Sequence, residues 1–260
     1  MTRKLPSTIR DKLPAVCAAA ALLLLWQLLC VSGLVPSYML PSPAQVLRAL
    51  AEDRALLWSH SLVTLKESAL GLLLGVVLGV LFAALMDSFA LLRRAVYPIL
   101  VVTQTIPTVA IAPLLVLWFG YEMTPKIILV VLATFFPITV GVLDGFRAAD
   151  RDAEALLRSM GAGRRQIFRY LKAPSALPQF FSGLRIAAAY SVVGSVISEW
   201  LGGFAGLGVY MTRVKKAFAF DRMFAVIFLI SALSLLLMYL VDVAERLCMP
   251  YRFLRDTERG

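Results

Sequence analysis

DRDAEALLRSMGAGRRQIFRYLKAPSALP, residues Asp150–Pro178, is a basic, amphipathic insert between two strongly apolar stretches. Asp150 or Asp152 can cap a first helix, and Glu154 in its first turn complements the helix dipole. Ala153, Leu156, Leu157 and Met160 recur at helical spacing and form one apolar stripe. Gly161 is a natural left-handed terminator. Arg164 to Lys172 then restarts a helix, with Ile167, Phe168 and Leu171 on its apolar side and Arg158, Arg164, Arg165 and Arg169 on the other. Pro174 and Pro178 are expected to stop it. The spacing therefore predicts two short helices hinged at Gly161-Ala162-Gly163, a cytoplasmic elbow that holds something. A basic helix resting on anionic lipid is the plainer reading, but lipid binding needs neither the hinge nor the prolines.

What flanks the insert sets the fold class. The 260-residue chain is 60% hydrophobic and only 16% charged, with mean hydropathy +0.82, whereas soluble domains carry about 25% charged residues. A helix of about 20 apolar residues crosses the hydrocarbon layer. About six spans are expected: Leu13–Val31, Ser68–Met86, Val96–Phe119, Ile127–Leu143, Leu184–Leu201 and Met223–Val243. The class is an all-α polytopic membrane protein. Residues 1–67 would hold the first span and an outer amphipathic segment, residues 68–245 the core with the elbow at 147–178, and residues 246–260 a tail.

The net charge of +10 reflects orientation, not nucleic acid, because basic residues accumulate on the cytoplasmic side. With the N-terminus inside, 18 of the 26 Lys and Arg residues fall on that side. Both termini and the insert are then cytoplasmic. Arg3, Lys4, Arg10 and Lys12 before Leu13–Val31 mimic a signal peptide, but the apolar run exceeds the usual length and no cleavage pattern follows Cys30, so a retained helix is expected. Cys17 and Cys30 would sit about 20 Å apart on that helix, too far to bridge. With no CxxC and no Cys/His cluster, metal and redox chemistry are not expected.

The third span carries Pro98, Pro107 and Pro113. Such breaks survive in a bilayer only where freed carbonyls face protein or water. Gln104 to Pro113 is therefore expected to be a broken, interior segment. Gln104, Thr105 and Thr108 (with Thr103) could line a route there, or could equally satisfy the broken backbone. Ser42 is an expected N-cap with Pro43 following. Val46, Leu47, Leu50, Leu57 and Leu62 suggest one helix lying along the membrane surface, with His60, the single histidine, on its polar face. Ser191, Ser195 and Ser198 share a face with Gly194, which favours close helix packing, although Ser195 could also line a pathway. Glu199 within an apolar run is a functional candidate; it could instead be hydrated at the boundary, or cap the glycine-rich turn after it. Asp87, Asp144, Asp242 and Glu245 sit at span ends and are expected at the interface.

The insert resembles the EAA loop of permease subunits in bacterial ABC importers. Gly161 takes the glycine of that pattern, Leu171 the aliphatic position and Pro174 the proline, with Leu177-Pro178 following. Ala155-Leu156-Leu157 stands where Glu-Ala-Ala is expected, Glu154 is one residue early, and Ala173 replaces a leucine. Leu40-Pro41-Ser42-Pro43, Ala112-Pro113-Leu114, Trp118-Phe119-Gly120, Ser198-Glu199-Trp200-Leu201-Gly202 and Gly206-Leu207-Gly208 are similar to the nitrate/sulfonate/taurine branch, with a lean toward permeases for thiamine pyrimidine precursors and riboflavin.

The resemblance implies a homodimeric permease of type I importer fold in the inner membrane, with an ABC ATPase gripping the elbow and a soluble or lipoprotein binding protein delivering a small organic solute. ATPase coupling would fall to Glu154, Leu156, Leu157, Met160, Gly161, Gly163, Ile167, Phe168, Pro174 and Pro178. The pathway candidates are Gln104, Thr105, Thr108, Ser195 and Glu199. The chain lacks GxxxxGK[ST], so Mg-ATP would be held by the partner, and no catalytic residue, cofactor or metal is expected here. An ion-coupled carrier would want paired charges deep in the spans and an internal repeat, and an intramembrane enzyme a His/Glu or Ser/His set. Neither pattern stands out.

Overall fold

Four helices are long and apolar enough to cross a membrane in the computed structural model, which describes residues 7–33, 35–36 and 39–250. They are α3 (Arg54–Ser88), α6 (Met123–Arg147), the run Arg164–Leu201 and α11 (Phe220–Cys248). A bent pair, α4 (Ala90–Thr103) and α5 (Thr108–Phe119), turns through 97° and together passes the same test. The first helix, α1, spans Ser7–Val31, and its apolar stretch Val16–Val31 is shorter. The remaining elements are α2 (Pro43–Glu52), α7 (Arg151–Ser159), α8 (Arg164–Ile167), α9 (Ala173–Leu201) and α10 (Leu207–Lys216). Arg3 and Lys4, and residues 251–260 of the expected tail, lie outside the described residues.

The chain divides into two units, each with its own packing. One comprises residues up to Trp58 together with Met211–Leu229. Here Ser42 caps α2 in a reciprocal capping box with Gln45, and Pro43 starts the helix, as its missing N–H allows. Val46 and Ala49 pack against Ala225, and Trp26 stacks on Phe228. The expected single surface helix is instead two helices. The chain breaks at Asp53, and Leu57 and Leu62 belong to α3, which starts fourteen residues before the expected span at Ser68. Continuing the helix satisfies every backbone group that a loop at membrane depth would leave unpaired.

The other unit comprises Ser59–Tyr210 and Ile230–Gly260. Its frame is α3, α6 and α9 brought close by glycine. On α3, Gly71, Gly75 and Gly79 face Val130, Thr134 and Ile138 of α6, and a Cβ at any of the three would collide there. Gly141 and Gly145 of α6 press on the backbones of Gln179 and Ala176, and Gly183 of α9 presses on Pro137. Small residues do this in membranes because helices there associate by dispersion and close backbone approach, water being absent. Gly194, Ser191, Ser195 and Ser198 lie on the same buried side of α9, in line with the close-packing reading. Ile138, Val142, Leu143 and Phe146 complete the core with Ala83 and Met86.

Candidate functional site

Three regions of the larger unit bear on function. In the elbow, Asp150 accepts from the N–H groups of Asp152 and Ala153 and so caps α7. α7 ends in a Schellman turn: Ala162 N–H donates to Leu157 C=O, Gly161 N–H donates to Arg158 C=O, and Gly161 adopts φ +83°. Gly163 then caps α8, with Gln166 Oε1 accepting from its N–H. The expected apolar stripe divides. Ala153 and Leu157 are half-buried, whereas Leu156 is 62% and Met160 74% exposed. Ile167 is buried, and Phe168 meets Phe146 of α6 at 5.3 Å between ring centroids, which fastens the elbow to the core. Arg158 bonds Glu154, and this hydrogen bond holds the Glu154 carboxyl below its ordinary range. A cavity of about 660 Å³ between the elbow and the end of α3 is lined by Asp87, Glu154, Arg158, Arg164, Arg165 and Lys172, with Lys172 paired to Asp87 at 2.9 Å.

The prolines correct the sequence expectation. Pro174 and Pro178 stop nothing: α8 passes through a π-helical turn, Phe168–Lys172, directly into α9. Pro174 occupies the first turn of α9, and Pro178 lies inside it. The wider π turn makes room ahead of Pro174, a local adjustment that lets membrane helices keep proline. The elbow is thus continuous with a helix of 38 residues ending at Leu201.

At that far end, side chains from α3 and α9 converge on the start of α10. Its first N–H groups, Gly206, Leu207 and Gly208, donate to His60 Nδ1 at 2.9 Å, Thr64 Oγ1 at 2.9 Å and Glu199 Oε2 at 2.6 Å. These are the donors a helix cannot satisfy internally, and a carboxylate complements the dipole there. Thr64 in turn donates to Glu199 Oε1 at 2.7 Å, and Ser68 bonds Ser195 at 2.9 Å. Lys126 of α6 pairs with Glu67 at 2.7 Å, both side chains almost fully buried. Glu67 Oε2 has no hydrogen-bond partner among the described residues, and its carboxyl neighbours that of Glu199. Gly206 has φ +123°, and a Cβ there would strike the Glu199 carboxyl.

Two residues move from their expected places. His60 is 5% exposed and accepts a backbone hydrogen bond, so it is no polar-face residue; as acceptor at Nδ1 it is the neutral Nε2–H tautomer. Glu199, 1% exposed, caps the glycine-rich turn, the third of the readings left open for it. Ser195 joins the same cluster. Sequence reasoning had no means of finding Lys126, which reads as a loop cation, or Glu67, hidden between Lys66 and Ser68. Arg185 of α9 holds Asp242 and Glu245 of α11, each at 2.6 Å.

The third region is the broken span. The break is Gln104–Pro107, while Pro98 lies within α4 and Pro113 within α5. It is exposed, not interior to this chain. The Thr103 and Thr105 hydroxyls donate to backbone carbonyls of the preceding turn, and Thr108, half-buried, opens α5. Gln104 faces a cleft of about 390 Å³ whose lining includes Phe136 and Pro137 of α6 and Gln179, Ser182 and Tyr190 of α9. No Lys, Arg, His, Asp or Glu is among its described lining residues.

Residues 75–248 match the family described as binding-protein-dependent transport system inner membrane component. The chain is 44% identical over 216 residues to the formylaminopyrimidine transport permease protein ThiX of Halalkalibacterium halodurans, covering 83% of this chain and 86% of that protein. It is 33% identical to the riboflavin transport system permease protein RibX of Chloroflexus aurantiacus (87% and 85% covered). With the taurine transport system permease protein TauC of Escherichia coli the identity is 29% (89% and 87% covered). Among solved structures, a chain of an amino acid ABC transporter superposes with TM-score 0.63 at 18% identity, over 76% of this chain and 96% of that one. The inward-facing MetNI methionine ABC transporter gives 0.60 at 22%, over 74% and 94%. The fold is that of type I ABC importer permeases, and the chain belongs to the binding-protein-dependent transport system inner membrane components as a multi-pass permease subunit, with ATP hydrolysis left to a separate subunit.

Proposed function

We propose that two copies of this chain enclose one pathway, that an ATPase subunit grips each elbow on the cytoplasmic side, and that both termini lie on that side. Outside, a binding protein delivers a small organic solute. The relatives named for formylaminopyrimidine and riboflavin share more identity with this chain than the one named for taurine, which favours a heterocyclic solute.

The observation that carries the coupling role is the exposure of Leu156 and Met160 in α7 and its capping turn, while the segment that follows is fastened to the core through Phe168 and Phe146. These side chains leave water only against a partner, and a groove in the ATPase would supply it. Because α8 runs through the π turn into α9, displacement of the elbow moves one rod of 38 residues, about 57 Å at helical rise. Glu199 near the far end of that rod holds the start of α10. ATP-driven approach of the two ATPase subunits would therefore act on the elbow, the cleft and the outer cluster together. The bias comes from the elbow's different affinity for the ATPase in its two states.

The test is the double variant Leu156→Asp/Met160→Asp. Membrane insertion persists, while co-purification with the ATPase and ATP-driven uptake are lost. ATP-coupled uptake at the normal rate in that variant would overturn the assignment.

A further inference from the structure

Gln179, Ser182, Ile186 and Tyr190 follow one another at three, four and four residues along α9, and all four are exposed. An amide on the open face of a membrane-spanning helix has no hydrogen-bond partner in hydrocarbon. This face is therefore built for water or a solute. Gln104, at the α4–α5 break, points into the same space, so two primary amides, a hydroxyl and a phenol serve one cleft of about 390 Å³, a size common for small-ligand sites.

Resting on the permease reading, we infer that this cleft holds the solute during its passage and selects an uncharged, flat heterocycle over a sulfonate- or nitrate-type anion. Each glutamine offers both N–H donors and a C=O acceptor, which match the mixed donor and acceptor edge of a ring bearing amide or amine groups. Phe136 and Tyr190 supply aromatic faces for such a ring. An anion leaving water here would need a cation to offset its desolvation, and none lines the cleft among the described residues. Arg185, the nearest cation along α9, is committed to Asp242 and Glu245. Delivery by a binding protein sets which solute arrives, and the cleft then acts as a second filter inside the membrane.

The test is equilibrium dialysis on the detergent-purified permease–ATPase complex without binding protein. The probes are cytosine and riboflavin as uncharged heterocycles, and ethanesulfonate and nitrate as anions. At least one heterocycle binds and neither anion does. Gln179→Leu and Tyr190→Ala, both at exposed positions, each weaken that binding by about tenfold, as expected for one lost neutral hydrogen bond or one lost aromatic face. Gln179→Arg admits ethanesulfonate. Anion binding to the unaltered complex, failure of both heterocycles to bind, or full heterocycle binding in Gln179→Leu and Tyr190→Ala would each overturn the inference. In those cases an ATPase still co-purifying, with hydrolysis stimulated by the binding protein, leaves the permease role standing. A chain that co-purifies with no ATPase overturns both.

Discussion

Glu199, two residues before the end of α9, caps the start of α10: its Oε2 accepts the N–H of Gly208 at 2.6 Å across the intervening turn. Its second oxygen accepts from Thr64 of α3. One carboxylate therefore ties three helices together where the chain leaves its longest continuous helix.

Removing that carboxylate takes an acceptor from two buried donors. Glu199→Ala leaves the Thr64 hydroxyl only the longer bond to His60 C=O at 3.3 Å and deprives the Gly208 N–H of its 2.6 Å acceptor, a loss of about 1–3 kcal/mol. Glu199→Gln keeps one carbonyl acceptor and nearly the same volume, so it recovers part of the loss. Thermal unfolding of the purified protein should rank wild type above Gln above Ala. Equal melting of the two variants would exclude the capping role.

The Lys126–Glu67 pair should show strong non-additivity. Lys126→Met leaves a buried carboxylate without its cation and destabilises by about 3–5 kcal/mol. Adding Glu67→Gln removes the stranded charge, and the double variant should regain most of that loss. A double-mutant cycle on unfolding free energies measures the coupling. Additive effects would mean the two side chains do not meet.

Gly161 is constrained by its backbone alone, since a Cβ there would meet nothing within 4 Å while φ is +83°. A left-handed conformation costs an ordinary residue about 1–2 kcal/mol, with asparagine the mildest replacement. Gly161→Val should uncouple ATP hydrolysis from uptake without loss of membrane insertion, and Gly161→Asn should retain most coupling. A valine variant as well coupled as asparagine would remove the Schellman turn from the mechanism.

Along α3, Gly75 faces Thr134 so closely that any side chain must displace it. Gly75→Leu is expected to separate α3 from α6 and lower the melting temperature well below that of Leu73→Ala, a change on the exposed side of the same helix. Similar melting of both variants would show that the glycine stripe is not the packing seam.

Glu154 gives a prediction in pH. The Arg158 hydrogen bond lowers its folded value, so the ionised, bonded form is present above the ordinary carboxylate range and is lost only as pH falls through the lowered value. Elbow binding to the ATPase should therefore not titrate at Glu154 between about pH 5.5 and 8. In Arg158→Ala the onset of acid weakening moves up toward the ordinary glutamate range. A pull-down across that window checks both, and a wild-type midpoint inside it would contradict the pairing.

Much of the elbow was legible in the chain. Asp150, the i, i+3, i+4 stripe and Gly161 each act locally, through caps and backbone preference that need no distant partner. The prolines misled because their effect depends on what surrounds them: a π turn and a packed neighbour convert a stop signal into a tolerated residue in α9. The cleft was half legible. Gln104 drew attention beside Pro107, but Gln179 and Ser182 fall between the insert and the expected span at Leu184, and Tyr190 reads as an ordinary member of that span; only the packing of α9 against α6 places them on one cleft.

The residues by themselves determined that this is a helical membrane protein with a hinged polar elbow, because hydrophobic run length, capping and charge asymmetry act within one segment at a time. Only the tertiary structure decided which way α9 faces, and that Glu67, Lys126, His60 and Glu199 form one buried cluster. Those groups come from positions 60 to 199 of the chain, and each is costly alone in a membrane interior. Their stability comes from partners that the fold brings together.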